Sequence, residues 1–247
     1  MLIAGCAPVK EAPPISGART PADLPTECTA AAGNASALHE VDAQRSQIRI
    51  SVFRDGRLSH LGHNHIVTSG DLYGFVLAGS AFDDTRFALC IPVNALVVDD
   101  LSARTEAGSA FSTSLDESQV AATRRNMLSE DQLAGEHYPY VVITGRVGRE
   151  HPQGHRIAMQ LKVRNHHHAT DTYADIRSTE GGVVAEGMFQ IKLSDLGIQP
   201  YSALFGALRV RDELELAYRL SATRRDSSLP KTFAGNPSHH EQEHLTP

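Results

Sequence analysis

Two groups of histidine have the residue type and spacing for metal chemistry. His63 and His65 are separated by one residue, and three further histidines occupy 166–168. Imidazoles at positions i and i+2 of a strand share a face, and both can reach one metal ion. Strand alternation carried forward from Val163 turns His167 to the inward face. The pattern therefore defines one candidate metal site, made of His63, His65 and His167.

A second interpretation of these histidines needs no metal. Imidazoles can form hydrogen bonds within a barrel or line its mouth, and His63 and His65 would then contact a ligand. An HNH nuclease requires a ββα-metal unit and a basic surface, and the sequence indicates neither. A cupin requires a Glu shortly after His-x-His, and no Glu follows His65 at that distance. We expect no resident metal cofactor and keep a metal carrier or metal-dependent enzyme as the alternative.

Other catalytic signatures are missing from the sequence. It contains no Gly-x-Ser-x-Gly elbow and no phosphate-binding glycine loop. Its three cysteines are too few for a disulfide scaffold or a zinc ribbon. Cys28 and Cys90 could form a bridge in an oxidising compartment or remain two free thiols. We therefore expect a protein that is not an enzyme.

The elements that must position these residues alternate with a period of two. Strict alternation of apolar and polar residues predicts strands with one buried and one wet face. The sequence predicts an all-β fold, an antiparallel barrel of about eight strands. One apolar face would line the interior, with these residues: Ile48, Ile50, Leu89, Ile157, Met159, Leu161, Phe189 and Ile191.

One helical excursion interrupts the strands and covers an end or side of the barrel. Ser114 and Glu117 have the spacing of a capping box, and Val120 and Met127 follow at helical spacing. A second box, Ser129 to Gln132, predicts another short turn. Arg124 and Arg125 lie on this helix, where a guanidinium could pair with an anionic head group.

Composition divides the chain into four segments. Residues 1–6 read as a lipobox that ends at Cys6, the cysteine that would be acylated, although only five residues precede it; Cys6 could also be an ordinary residue. Residues 7–37 predict a flexible tether, 38–224 the barrel domain, and 225–247 a disordered tail. The net charge of −6 and pI near 6.1 argue against a nucleic-acid partner.

Three passages of the sequence resemble the YceI family. They are Arg125 to Leu128 continuing into the Tyr-Pro step at Tyr138, the run from Phe189 to Ile198, and the run from Leu208 to Leu216. The resemblance covers roughly residues 38–222. The chain departs from the family pattern at 163–168, where a glycine-rich turn is usual, and in its extra histidine near His63.

The resemblance implies a periplasmic, lipocalin-like barrel that binds a long polyisoprenoid lipid. With the lipobox it implies a lipoprotein anchored in the bacterial outer membrane through Cys6. We expect an apolar chain-like ligand inside the barrel, with no enzymatic activity and an undetermined oligomeric state. The expected ligand-binding residues are His63, His65, Arg125, Ile157, Met159, Leu161, Phe189 and Ile191.

Overall fold

Antiparallel strands form most of the folded part of the chain. The computed structural model describes residues 24–29, 38–79 and 82–224. Within these ranges the strands are β1 Leu38–Val41, β2 Gln47–Asp55, β3 His65–Ser69, β4 Tyr73–Leu77, β5 Arg86–Pro92, β6 Val97–Val98, β7 Tyr140–His151, β8 Gly154–Val163, β9 His166–Thr179, β10 Gly182–Lys192, β11 Ser202–Ala203 and β12 Leu208–Arg224.

The sheet closes on itself as a barrel. Neighbouring strands pair in the order β1-β4-β5-β7-β8-β9-β10-β12, and β12 pairs again with β1. The long strand β12 pairs with β1 at its end and with β2 over most of its length. β1 and β2 together therefore occupy one of the eight strand positions of the barrel, and a 3-10 turn, Ala43–Arg45, separates them. β3 pairs with β2 and β4 pairs with β1, so β3 and β4 together occupy the neighbouring strand position. The prediction of an antiparallel barrel of about eight strands is confirmed.

Alternation along β8 shows how the sequence sorts the two faces of the wall. Ile157, Met159 and Leu161 are 3 to 8 % exposed, whereas Arg156 and Gln160 are exposed on the outer face. The inward residues of β10 and β12 pack against the same core. Burial of one face of every strand, at roughly 25 cal/mol per Å² of apolar surface, stabilises the closed sheet.

The excursion between β6 and β7 contains two helices, α2 Leu101–Glu106 and α3 Glu117–Leu128, and a four-residue helix α1, Thr26–Thr29, precedes the barrel. The predicted capping box at Ser114 is wrong: Asp116 is the N-cap of α3, and Gln119 completes the box. The carboxylate of Asp116 accepts a hydrogen bond from the Gln119 N–H. The capping box therefore begins two residues later in the chain than we predicted. Ser129 ends α3, and a turn links it to Gln132.

A disulfide joins Cys28 of α1 to Cys90 of β5, across 62 residues of sequence. Cys28 is 6 % exposed and packs with Ala88 and Tyr140. The sequence was compatible both with this disulfide and with two free thiols, and the structure contains the disulfide. Residues 24–29 are therefore fixed on the barrel wall, so the predicted tether over 7–37 is wrong for that part.

Cys6 and the rest of the predicted tether and tail lie outside the described residues. Of the helices in the described ranges, the longest has 12 residues, and none has the length and apolar character to cross a membrane.

Candidate functional site: the barrel lumen

The barrel encloses a large apolar cavity. Its volume is about 1010 Å³, and it reaches from Met127 of α3 at one end to Gly181, in the turn between β9 and β10, at the other. An eight-stranded barrel is wide enough either to be filled by its side chains or to hold one slender ligand. The length and continuity of this lumen correspond to the second case.

Two aromatic side chains that line the lumen lie against glycines of neighbouring strands. Phe87 lies against Gly145 of the neighbouring strand, and Tyr218 lies against Gly187. A Cβ at Gly145 would come within 2.6 Å of the Phe87 ring, so glycine is what lets the ring lean across the wall. Phe189 and Tyr218 meet edge to face with ring centroids 6.3 Å apart. The rings of Phe87, Phe189 and Tyr218 therefore form an aromatic part of the lumen wall.

Most of the predicted ligand-binding residues line this cavity. The inward aliphatic and aromatic positions and His65 are all part of its wall, and they are His65, Ile157, Met159, Leu161, Phe189 and Ile191. His63 and Arg125 are not part of it. The structure therefore brings six of the eight predicted residues to one surface.

His65 is held by a buried carboxylate. It opens β3 opposite Val52, on the strand face that looks into the lumen. Its Nδ1 lies 2.6 Å from the Oδ2 of Asp99, whose side chain has no exposed surface. An ionised carboxylate only accepts hydrogen bonds, so Nδ1 carries the proton and donates it. In the neutral form of the imidazole, the remaining ring nitrogen, Nε2, can accept a hydrogen bond from a ligand in the lumen.

Asp99 is itself fixed by three further contacts. Its Oδ1 accepts from the Arg104 guanidinium at 2.6 Å and from the Ile66 N–H at 3.0 Å, and its own N–H donates to the Ile66 carbonyl. Burial alone raises the pKa of Asp99, but the hydrogen bond and charge of His65, with the Ile66 and Arg104 bonds, outweigh it and leave the pKa below its ordinary value. Asp99 is therefore an anionic support for the imidazole.

Arg104 completes this network from α2. Its guanidinium also donates to the carbonyls of Asn64 and Thr113, at 2.9 and 2.8 Å. A buried charge is tolerated only when it is paired and its donors are satisfied. Sequence reasoning missed both Asp99 and Arg104, because they come from a loop and a helix on the outer side of the wall. The sequence contained one weak signal for α2, the helix that carries Arg104: Asp100, the residue after Asp99, is the N-cap of that helix.

His63 lies in the loop before β3, with its ring 6.4 Å from that of His65. Burial lowers the pKa of His63, and the positive charges of His65, Arg104 and Arg54 lower it further. His63 therefore favours the neutral form. His63 therefore lies beside His65 but is not part of the lumen wall.

His167 does not join the other two histidines, and this prediction is wrong. A two-residue turn, Arg164 and Asn165, makes Val163 the partner of His166, so His166 and His168 take the inward parity. His167 pairs with Lys162 on the outer face. The turn resets the alternation that we carried forward from Val163. In the described part of the chain, no three His, Cys, Asp or Glu residues are grouped to hold a metal, so the alternative metal-site interpretation has no support.

Arg125 is exposed on the outer side of α3, which corrects its assignment to the ligand site. A helix turns by about 100° per residue, so the inward residues are Thr123, Asn126 and Met127, spaced by three and four positions. Arg124 instead donates to the carbonyls of Asn94 and Leu96, at 2.7 and 2.9 Å. Arg124 therefore fastens α3 over the end of the barrel.

Comparison with solved structures identifies the architecture. BcnA from Burkholderia cenocepacia superposes with a TM-score of 0.52 at 11% sequence identity, over 74% of this chain and 99% of that one. A YceI protein from Campylobacter jejuni gives a TM-score of 0.46 at 11% identity, over 63% of this chain and 82% of that one. The sequence matches no protein-family model and no curated protein.

The likeness to BcnA concerns the fold alone, because 11% identity is too low to carry a ligand or a residue role from one protein to the other. The closed antiparallel barrel with a helix over one end is the architecture that the sequence motifs predicted. The chain therefore shares its barrel fold with BcnA, and this is the fold that the resemblance to the YceI family implied.

Proposed function

We propose that this protein binds a slender, apolar, chain-like lipid of the polyisoprenoid type in the barrel lumen and carries it without chemical change. The observation that supports the proposal is the continuous apolar cavity of about 1010 Å³. Packed protein interiors contain few voids larger than a water molecule, so a lumen of this size accommodates solvent or a ligand.

The chemistry of the wall favours an apolar ligand with one polar end. Ligand pockets are mostly apolar, with a few polar groups that fix orientation. Here the aliphatic positions of β8 and β10 supply the apolar surface, and His65, held by Asp99, supplies an oriented acceptor. A lipid hydroxyl is a matching donor. The isoprenoid class rests on the sequence resemblance to the YceI family, and the proposed periplasmic, outer-membrane location rests on the lipobox at Cys6.

A displacement titration tests the proposal. The full chain is loaded with the apolar fluorophore N-phenyl-1-naphthylamine, which is then displaced by isoprenoid alcohols of increasing length. Because each buried CH₂ contributes about 0.8 kcal/mol, each added isoprene unit should strengthen displacement by more than tenfold until the lumen is full. Displacement that is absent, or equal for all chain lengths, would contradict the proposal.

Two matched variants localise the binding. Ala185 of β10 lines the lumen, whereas Ala169 of β9 is exposed on the outer face. Ala185→Phe should block dye and alcohol binding, and Ala169→Phe should leave both unchanged. A thermal melt of each variant separates a blocked lumen from a failure to fold.

A further inference from the structure

Four large apolar side chains are exposed together at one rim of the barrel. Leu61, Tyr201, Leu204 and Phe205 have exposed fractions of 56, 43, 54 and 112 %. Only three other large apolar side chains in the described ranges are exposed, and they are Val97, Leu101 and Met188. A grouped apolar surface of this kind marks an interaction site rather than the ordinary scatter of single exposed residues.

These side chains belong to two loops that touch. Residues 56–62 follow β2, and residues 201–207 contain β11 and the turn into β12; we call them the rim loops. The Leu58 N–H donates to the Ala207 carbonyl at 2.8 Å, and a Cβ at Gly56 would come within 2.4 Å of the same oxygen. The loops therefore form one surface.

The backbone presents Phe205 to solvent at an energetic cost. Leu204 and Phe205 have φ of 52° and 56°, in the left-handed region that residues other than glycine rarely adopt. Residues held in such conformations cluster at functional sites. Here the outcome is a fully exposed aromatic ring at the tip of the hairpin between β11 and β12.

The rim loops frame an opening of the lumen. Tyr201 is 43 % exposed and also lines the cavity, and Val210 at the base of the same hairpin lines it as well. A molecule that leaves the lumen past Tyr201 would meet the exposed side chains of Leu204 and Phe205. The apolar surface of the rim is thus continuous with the apolar wall of the lumen.

The charge around the rim is opposite in sign to that of the whole chain. Residues 54–62 and 201–212 contain four arginines and two aspartates, whereas the chain carries a net charge of −6. Asp55 pairs with Arg209, and Asp212 accepts from the Ser194 N–H and hydroxyl. Arg57 is exposed beside Leu58, and Arg211 lies 4.7 Å above the Phe53 ring. The two segments that carry the exposed apolar tip therefore have more arginines than carboxylates, and Arg57 is exposed within them.

We infer that the rim loops dock on an anionic lipid bilayer, with Leu204 and Phe205 inserted among the acyl chains and the arginines at the head-group phosphates. Interfacial binding of this kind combines buried apolar area with attraction to anionic lipid. The docked mouth would open onto the acyl layer. This surface goes beyond the proposed lumen function and does not depend on which ligand the lumen holds.

Vesicle flotation of the full chain carrying Cys6→Ser tests the inference, because that change prevents binding through an acyl chain on Cys6. The parent should float with vesicles of phosphatidylglycerol and phosphatidylethanolamine and much less with phosphatidylcholine alone. Phe205→Asn should weaken binding roughly tenfold or more, since a buried Phe contributes about 1.5–3 kcal/mol. Asn tolerates the left-handed conformation, so the loop should keep its shape.

Two control substitutions match the test variants. Met188→Asn removes another exposed apolar side chain, on the outer wall of β10, and should leave flotation unchanged. Arg57→Gln should weaken binding to the anionic vesicles about fivefold, whereas Arg149→Gln, at the end of β7, should not. Equal flotation of the parent and Phe205→Asn would overturn the inference. So would a dimer in sedimentation that Phe205→Asn dissolves, because the rim would then be an interface between copies of this chain.

Discussion

The phenol of Tyr218 lies over Gly187, its partner across β10 and β12, so closely that a Cβ on Gly187 would come within 2.5 Å of the Tyr218 Oη. Pairing along β9 and β10 ends at Glu186, one residue earlier, and the Tyr173 carbonyl lies 2.8 Å from the same Cβ position. Burial raises the pKa of Tyr218 to about 12, so the phenol stays neutral at physiological pH. The pair therefore places an uncharged phenol in the lumen wall.

Gly187→Ala should destabilise the barrel by about 1–3 kcal/mol, because the added methyl group must displace the Tyr218 ring or the strand backbone. Chemical denaturation measures the change. Gly70→Ala is the matched control: apart from Gly70 and its two chain neighbours, no atom lies within 4 Å of its Cβ position, so the free energy of unfolding of this variant should stay close to that of the parent. Equal effects of the two substitutions would show that the Tyr218 contact does not constrain position 187.

The fold was predictable because its strands follow one physical rule. Alternation along β8, β10 and β12 identified the inward faces, and the residues from Ile157 to Leu161 lie where that rule places them. The interruptions between β1 and β2 and between β3 and β4 were not predictable, because they depend on how each piece pairs with its neighbours. Local periodicity identifies a strand and its faces, whereas closure depends on contacts distant in sequence.

Leu161→Asp should destabilise the protein by several kcal/mol, because it places a carboxylate on the buried apolar face at a position that is 3 % exposed. Gln160→Asp, one residue earlier on the exposed face of β8, should be nearly neutral. Gln160 is a cleaner control than Lys162, whose ammonium lies 3.2 Å from Glu27. Thermal melts compare the variants, and equal shifts would reverse the assignment of inner and outer faces.

Asp99→Ala should cost about 3–5 kcal/mol, because it leaves the buried guanidinium of Arg104 without its charge partner. The control is Asp171→Ala, which breaks an exposed ion pair with Arg156 and should cost about 0–1 kcal/mol. Urea denaturation at neutral pH measures both. A small effect at Asp99 would show that the network does not hold His65 in place.

The contribution of Asp99 to stability should also depend on pH in a defined direction. Its pKa in the folded state lies below the ordinary value, so the unfolded chain binds the proton more readily. The contribution is then complete above about pH 4 and is lost as pH falls through the lower folded pKa. The difference in unfolding free energy between the parent and Asp99→Asn should therefore shrink as pH falls below about 4. A difference that keeps its full size well below pH 4 would contradict this assignment.

Reduction of the Cys28–Cys90 bridge should destabilise the barrel by about 2–4 kcal/mol, because the bridge closes a loop across 62 residues. The double change of Cys28 and Cys90 to Ser should unfold at the same lowered temperature with and without reductant. The parent should reach that temperature only with reductant. Insensitivity of the parent to reductant would argue against a stabilising bridge.

The candidate site was only partly predictable. Apolar lining residues such as Met159 follow from alternation, but the support of His65 comes from Asp99 and Arg104, which lie 34 and 39 positions further along the chain. His167 was misassigned because one two-residue turn reverses parity, and Arg125 because a helix face changes with each residue. Errors of this kind arise where a side chain's direction depends on a turn or a neighbouring element.

The most direct test of lumen binding is the molar ratio of extractable lipid to protein. The full chain carrying Cys6→Ser, which prevents attachment of an acyl chain at that residue, is purified from a bacterial host without detergent. It is then extracted into organic solvent, and the lipids are quantified by mass spectrometry. We predict about one apolar chain-like lipid per protein, reduced strongly in Ala185→Phe and unchanged in Ala169→Phe. An extract without such a lipid, or with equal amounts from both variants, would contradict the account.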